Sequence, residues 1–196
     1  MDEEEIIRCA RSDSRYFEPL FEKYYPPIKR YILRRVIDYD VADDIASETF
    51  LKALLKLSLF RWQGISFSAW LYRVATNEVN QYFRRKSYAP ERFSDTMEFN
   101  ERVRLPAVLP DEERESWEKE LKHHEEYIVV QRIISKLPVK YQEVIALRYF
   151  EQKGIKEIAE ILGKKEGTVK SLHARGLEKI RRAFDGLQPK RPESIL

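Results

Sequence analysis

Five side chains that can bind a polyanion follow one another near the C-terminus: Lys170, Ser171, His173, Arg175 and Lys179. Gly167 and Thr168 precede them, and Arg181 and Arg182 follow. Cations reach both phosphates and base edges, while hydroxyl and imidazole groups donate or accept single hydrogen bonds. The stretch Ile155-Lys-Glu-Ile-Ala-Glu-Ile-Leu-Gly-Lys-Lys-Glu-Gly-Thr-Val-Lys-Ser-Leu explains how they are held. Ile158, Ile161 and Leu162 make one helix apolar on one side. Ala159 is small where two helices must cross. Gly163 suits a left-handed turn, and Val169 and Leu172 anchor a second helix that begins near Glu166. This is the pattern of a helix-turn-helix, whose second helix enters the DNA major groove by its N-terminal part. At the start of that helix Thr168 and the Gly167 backbone suit a phosphate.

Other chemistry is poorly supported. No nucleophile–base set stands out, so the chain is not expected to be an enzyme. His123 and His124 lack partners at zinc-site spacing, so neither a metal nor a cofactor is expected. The glycines at 163 and 167 lack the Gly-Lys-Ser/Thr ending of a phosphate-binding loop. Cys9, the single cysteine, cannot form an internal disulfide and fits a reducing cytoplasm. No apolar run approaches the ~20 residues of a membrane span, and no membrane insertion is expected.

The net charge of +3 is distributed unevenly. Residues 1–90 carry 15 Lys/Arg against 13 Asp/Glu, residues 91–126 carry 6 against 12, and residues 127–196 carry 15 against 8. A basic C-terminal unit suits DNA, whereas the acidic middle would be repelled by it.

Helical periodicity runs through most of the chain. Phe17, Leu20, Phe21, Tyr24, Ile28, Tyr31 and Ile32 keep one face apolar, and Pro26-Pro27 predicts a kink or break in that helix. Asp40 is placed to cap the next helix, whose buried stripe is Ala42, Ile45, Ala46, Thr49, Phe50, Ala53, Leu54 and Leu57. A loop over Phe60–Ser68 then leads to a helix from about Ser68 to Arg85. From Pro90 to Pro110 the pattern fails, and Asp111–Glu126 is strongly charged. The expected architecture is all-α: a helical domain over 1–92, an acidic irregular linker over 93–125, a helix-turn-helix domain over 126–186, and a short tail over 187–196.

Aromatic and cationic residues interleave in the helix before the linker. Trp70, Tyr72, Tyr82, Phe83 and Tyr88 lie near Arg73, Arg84, Arg85 and Lys86. Such a set can stack on unpaired bases and hold their phosphates. Trp70 and Leu71 read as core.

Three strings together carry a family resemblance. Asp40-Val-Ala-Asp-Asp-Ile-Ala-Ser-Glu-Thr-Phe-Leu-Lys-Ala resembles the polymerase-binding helix of extracytoplasmic-function sigma factors. Phe67-Ser-Ala-Trp-Leu-Tyr-Arg-Val-Ala-Thr-Asn resembles that family's helix for opening the promoter −10 element. Leu137-Pro138, Val144-Ile-Ala-Leu-Arg-Tyr-Phe and Gly167-Thr-Val-Lys-Ser resemble its −35-binding domain. The likeness runs in order from about Ile6 to Phe184.

The resemblance implies an initiation factor that binds core RNA polymerase and guides it to promoter DNA. It implies duplex contact at −35 through Thr168, Lys170, Ser171, His173, Arg175 and Lys179. Single-strand contact at −10 falls to Asn77, Tyr82, Arg84, Arg85, Lys86 and Tyr88, with Arg84 to Glu91 matching the family's specificity loop. Asp44, Ser47, Glu48 and Leu51 would meet a basic helical surface of the polymerase. An anti-sigma factor is a further implied partner. A stand-alone helix-turn-helix regulator is the alternative, but it leaves the first two strings unexplained. A nucleic-acid enzyme would need converging carboxylates, and the adjacent Asp43 and Asp44 diverge on a helix.

Overall fold

The structure, a computed structural model, describes residues 2–36, 38–62, 65–88, 130 and 133–187. Every regular element among them is helical. Helix α1 (Glu3–Ala10) opens on Asp2, whose carboxylate accepts from the Glu5 N–H at 2.8 Å. A short 3₁₀ turn (Ser14–Phe17) leads into α2 (Glu18–Val36). Then come α3 (Tyr39–Leu55), a second 3₁₀ turn (Leu57–Leu59) and α4 (Phe67–Tyr88). The C-terminal unit contains α5 (Val139–Ile145), a wider π turn (Ala146–Phe150), α6 (Ile155–Leu162) and α7 (Glu166–Leu187).

Helices α2, α3 and α4 pack around one core in which Ile28, Tyr31, Ile32, Phe67, Leu71 and Val79 are fully enclosed. Aromatic rings fill one end, with Phe50 against Phe17 and Phe21, and Phe60 against Phe67 and Trp70. The first three of these pairs meet edge to face, a geometry that adds to the simple burial of area.

Two local expectations change, the break at Pro26-Pro27 and the capping residue of α3. Helix α2 runs unbroken through Pro26 and Pro27. Proline removes backbone donors but fixes φ near the helical value, so apolar anchoring on both sides can carry the helix across. Here Leu20 before the prolines and Ile28, Tyr31 and Ile32 after them supply that anchoring, and Tyr25 Oη donates to Asp43 of α3 at 2.7 Å. The cap of α3 is Asp38, not Asp40: extended Asp38 accepts from the Val41 N–H at 3.0 Å. Asp40 lies inside the first turn, where its charge still complements the helix dipole.

The helix-turn-helix closes as its sequence requires. Ile158, Ala159 and Ile161 are buried in α6, as is Val169 in α7. Gly163 takes φ +62°, and its N–H bonds the Glu160 carbonyl. At Gly176 a side chain would stand 3.2 Å from Ile145 Cγ1, so this glycine permits the close crossing of α5 and α7. The linker expected over 93–125, the residues up to 129, and His123 and His124 lie outside the described residues.

Nothing stands within 4 Å of a Cβ built at Gly163, so its left-handed backbone is the whole reason for glycine there. Gly163→Ala should therefore cost about 1–2 kcal/mol. Gly163→Asn should cost less, because asparagine tolerates this region better. Urea unfolding of the two variants measures the difference.

Candidate nucleic-acid and polymerase interface

Three surfaces carry the expected residues. On α3, Asp44, Ser47, Glu48 and Leu51 are exposed on one side, with Leu51 at 52%. Their three- and four-residue spacing follows from the helical repeat. Leu55, one turn beyond Leu51, extends the apolar part of this surface at 71% exposure, while Leu59 at 71% and Trp62 at 42% are exposed further along the chain, Trp62 beside α1. Sequence reasoning missed these three. Glu48 bonds Lys52 at 3.0 Å, and Lys52 bonds Glu78 of α4 at 2.6 Å. A cleft between α3 and α4 thus unites Asp44, Glu48 and Lys52 with Glu78, Tyr82 and Arg85. Two of the residues expected at polymerase, Asp44 and Glu48, share this groove with two of those expected at −10, Tyr82 and Arg85.

On α4, Asn77, Arg84, Arg85 and Lys86 are exposed. Tyr82 is half-buried, with its ring centroid 5.5 Å from Phe83. The helix reaches Tyr88 and so absorbs the first five residues of the stretch read as a loop. The remainder of that stretch, to Glu91, lies outside the described residues. Tyr72 leaves the stacking set. It is 4% exposed, and its hydroxyl donates to Glu151 Oε2 at 2.5 Å. Burial, then the Glu151 charge, raise its hydroxyl well above the usual tyrosine range. Trp70 lies half-buried against Phe60 and Phe67, in line with a core role.

On α7, Thr168, Lys170, Ser171, Arg175 and Lys179 are exposed. His173 differs. Its ring is partly buried and stacks on Tyr149 with centroids 5.6 Å apart, and Nε2 and Tyr149 Oη share a 3.1 Å hydrogen bond. Tyr149 itself is 51% exposed and borders the recognition helix. No sequence signal marked it, because position 149 falls in what reads as a core helix.

The structure also joins the two domains. Glu151, at the end of the π turn, reaches Arg34 Nη1 at 3.1 Å, in addition to Tyr72. Gln152 next to it adopts φ +52°, a left-handed conformation unusual for a side chain of its kind. Arg73 donates to the carbonyls of Glu160 and Ile161 at the end of α6. Among the described residues, no group of three or more potential ligands could hold a metal. No described helix is long and apolar enough to cross a membrane.

A small helical bundle joined to a helix-turn-helix domain defines a DNA-binding protein with a second, separate working surface. The comparisons specify it further. Residues 20–88 match the family described as Sigma-70 region 2, and residues 127–180 match Sigma-70, region 4. The RNA polymerase sigma-H factor of Pseudomonas aeruginosa is 33% identical over 186 residues, covering 95% of each protein. The extracytoplasmic-function (ECF) RNA polymerase sigma factor SigW of Bacillus subtilis is 30% identical over 194 residues, covering 95% of this chain and 98% of SigW. The ECF sigma factor BldN of Streptomyces coelicolor is 29% identical over 178 residues. The match takes in 90% of this chain but 63% of BldN's own length.

The fold is similar to CnrH, solved with the cytosolic domain of CnrY, at TM-score 0.64 and 20% identity over 93% of this chain and 97% of that one. It is also similar to RpoE of Bartonella quintana, solved with the anti-sigma factor NepR, at TM-score 0.62 and 18% identity over 88% and 98%. The chain belongs to the ECF RNA polymerase sigma factors.

His173 gives this surface a pH dependence. Burial, then the positive charge of Arg148, hold its imidazole below the usual histidine value of 6.5. The unfolded chain therefore takes up that proton first as pH falls, and folded stability drops with it. The urea midpoint should decline between pH 7.5 and 5.5. His173→Phe, which keeps the stacking, should remove the histidine part of that decline.

Proposed function

We propose that the chain acts as the promoter-specifying subunit of RNA polymerase, with three surfaces in three roles. The observation that carries this reading is the presence, on one chain, of an acidic–apolar helical face, a helix with exposed Asn77, Arg84, Arg85 and Lys86, and a helix-turn-helix. A stand-alone regulator would need only the last. In this reading residues 1–92 bind core polymerase and the −10 element, residues 93–125 tether, and residues 126–186 bind the −35 element.

Asp44, Ser47, Glu48 and Leu51 dock on a basic helical surface of the polymerase, where complementary charge speeds encounter and fixes orientation. Exposed Leu55, one turn on from Leu51, extends that face with apolar area. Asn77 meets a base of the opened −10 strand. Tyr82, Arg84, Arg85, Lys86 and Tyr88 hold its stacked bases and phosphates. Thr168, Lys170, Ser171, His173, Arg175 and Lys179 contact −35 duplex. An anti-sigma factor is a fitting regulator, since the structural relatives CnrH and RpoE were each solved with a partner, named for RpoE as the anti-sigma factor NepR. Work of this kind belongs in the cytoplasm, with polymerase and DNA.

The deciding experiment is co-purification with core polymerase followed by promoter-dependent transcription. Glu48→Arg should weaken holoenzyme assembly without unfolding the domain. Asn77→Ala should slow promoter opening, read by the reactivity of unpaired bases, while assembly stays normal. Tight, sequence-specific duplex binding by a dimer of the free protein, with no polymerase contact, would favour the stand-alone regulator.

The −35 roles separate by salt dependence. If Arg175 or Lys170 contacts a phosphate, its replacement by alanine weakens binding to all sequences and lowers the salt slope by about one. If it contacts a base, the loss is about 1–3 kcal/mol at one position, with relaxed specificity there.

A further inference from the structure

One turn of the C-terminal unit is wider than an α-helix. It runs from Ala146 to Phe150, and at its end the Glu151 N–H reaches back to the Ala146 carbonyl at 3.2 Å. Turns of this width are rare and gather at functional sites. This one is pinned on both sides. Leu147 is fully buried, and the exposed Arg148 donates from Nη1 to the Lys153 carbonyl at 3.0 Å. Tyr149 is thereby set on the outside, beside the recognition helix. With 51% of it exposed, apolar burial gives little reason for so large a ring there. Its one close partner of interest is His173. The two rings lie nearly parallel, at 20°, and Tyr149 Oη stands 3.1 Å from His173 Nε2.

We propose that Tyr149 is a specificity-determining residue of the −35 surface: it fixes which ring nitrogen of His173 carries the proton, and so which bases His173 can read. The proposal rests on the reading that His173 meets the −35 duplex.

The direction of the shared hydrogen bond carries the argument. Burial, then the positive charge of Arg148, favour the neutral form of His173. A neutral imidazole has one donor nitrogen and one acceptor nitrogen. Between a phenol and a neutral imidazole, the phenol O–H is the more acidic donor and the ring nitrogen the more basic acceptor. Tyr149 therefore donates to Nε2, and the His173 proton stays on Nδ1. The hydrogen bond made by one ring nitrogen sets the state of the other.

The ring is then left with a donor to offer to DNA and no acceptor. In the major groove guanine presents N7 and O6 as acceptors, and thymine presents O4. Adenine presents an acceptor and a donor, while cytosine presents only its N4 donor. Held in this state, His173 suits guanine, thymine or adenine and rejects cytosine. Without the Tyr149 hydroxyl the proton can move to Nε2. Nδ1 then becomes an acceptor, and the rejection of cytosine is lost.

The test uses the full chain assembled with core polymerase, and promoter duplexes carrying each base pair in turn across the −35 element. His173→Ala first marks the position that His173 reads. There the parent should bind the cytosine duplex about tenfold more weakly than the guanine duplex. Tyr149→Phe keeps the stacked ring and removes only the hydroxyl. It should erase most of that gap, with binding to non-specific duplex and helical circular dichroism unchanged. In a His173→Ala background it should change nothing at that position. Nitrogen-15 NMR of the full chain gives a second readout. The His173 ring, identified by its loss in His173→Ala, should carry its proton on Nδ1 in the parent and shift toward Nε2 in Tyr149→Phe.

The proposal is overturned if Tyr149→Phe keeps the parent's base preferences while His173→Ala relaxes them, or if the parent ring carries its proton on Nε2. It is overturned too if Tyr149→Phe weakens all duplexes alike in both backgrounds, because Tyr149 would then be a phosphate contact acting by itself. If His173→Ala leaves every −35 preference unchanged, the −35 reading of His173 falls, and Tyr149 has nothing to position.

Discussion

A helix of 22 residues has more surface than a three-helix core can cover, and α4 is such a helix. Its inner side, with Phe67, Leu71, Ala75 and Val79, is buried against α2 and α3. Burying those side chains contributes about 1.5–3 kcal/mol for each large one, and this fixes the helix in place. The outer side therefore faces outward by geometry alone, and its polar residues inherit a rigid platform. The position of Asn77, the covering of Arg73 and Asn80, and the groove shared with α3 all follow from that division of one helix into two faces.

The contact between domains joins apolar packing to polar groups, since buried residues of both units belong to one continuous cluster. The cores are closed by apolar side chains, with Leu71 and Ile158 both at 0% exposure. The junction holds an Arg34–Glu151 ion pair, the Tyr72 hydroxyl, the Arg73 guanidinium and the Asn80 amide. Lys153 adds its ammonium 5.2 Å from the centre of the Tyr72 ring. Buried ions lose much of their mutual attraction to desolvation, so these polar groups hold orientation more than they add stability, and the apolar packing beside them supplies the burial. Its polar groups can also be satisfied by water. Junctions of this kind between domains of one chain can open. The acidic–apolar face of α3 is left free of this contact, and Glu48 and Leu51 stay exposed.

Much of the fold was legible because helical burial writes itself into spacing. The stripe Ala42, Ile45, Ala46, Thr49, Phe50 and Ala53 is buried as its three- and four-residue intervals require. The turn at Gly163 was legible because few residues tolerate φ +62°. Details were lost where two residues compete for one role. Asp38 and Asp40 can each cap a helix, and the extended backbone at residue 38 decides between them. Pro26 and Pro27 argue locally for a break, but tertiary anchoring by Ile28 and Tyr31 outweighs the lost donors. His173 reads as a polar face residue, yet a tyrosine 24 positions away turns its ring inward.

The sequence by itself determined the helical class, the helix-turn-helix with its exposed Lys170, Ser171 and Arg175, and membership of the sigma family. Each of these depends on residues close together in the chain, where periodicity, turn chemistry and motif strings are strongest. Only the tertiary structure decided what Arg34, Tyr72, Arg73 and Glu151 do. Arg34 and Glu151 stand 117 positions apart, and Arg73 and Glu160 stand 87 apart. No local rule links residues so distant, because their meeting depends on how two separately folded cores set their surfaces together. A charged residue in a sequence reads as solvated until a partner from the other domain buries it.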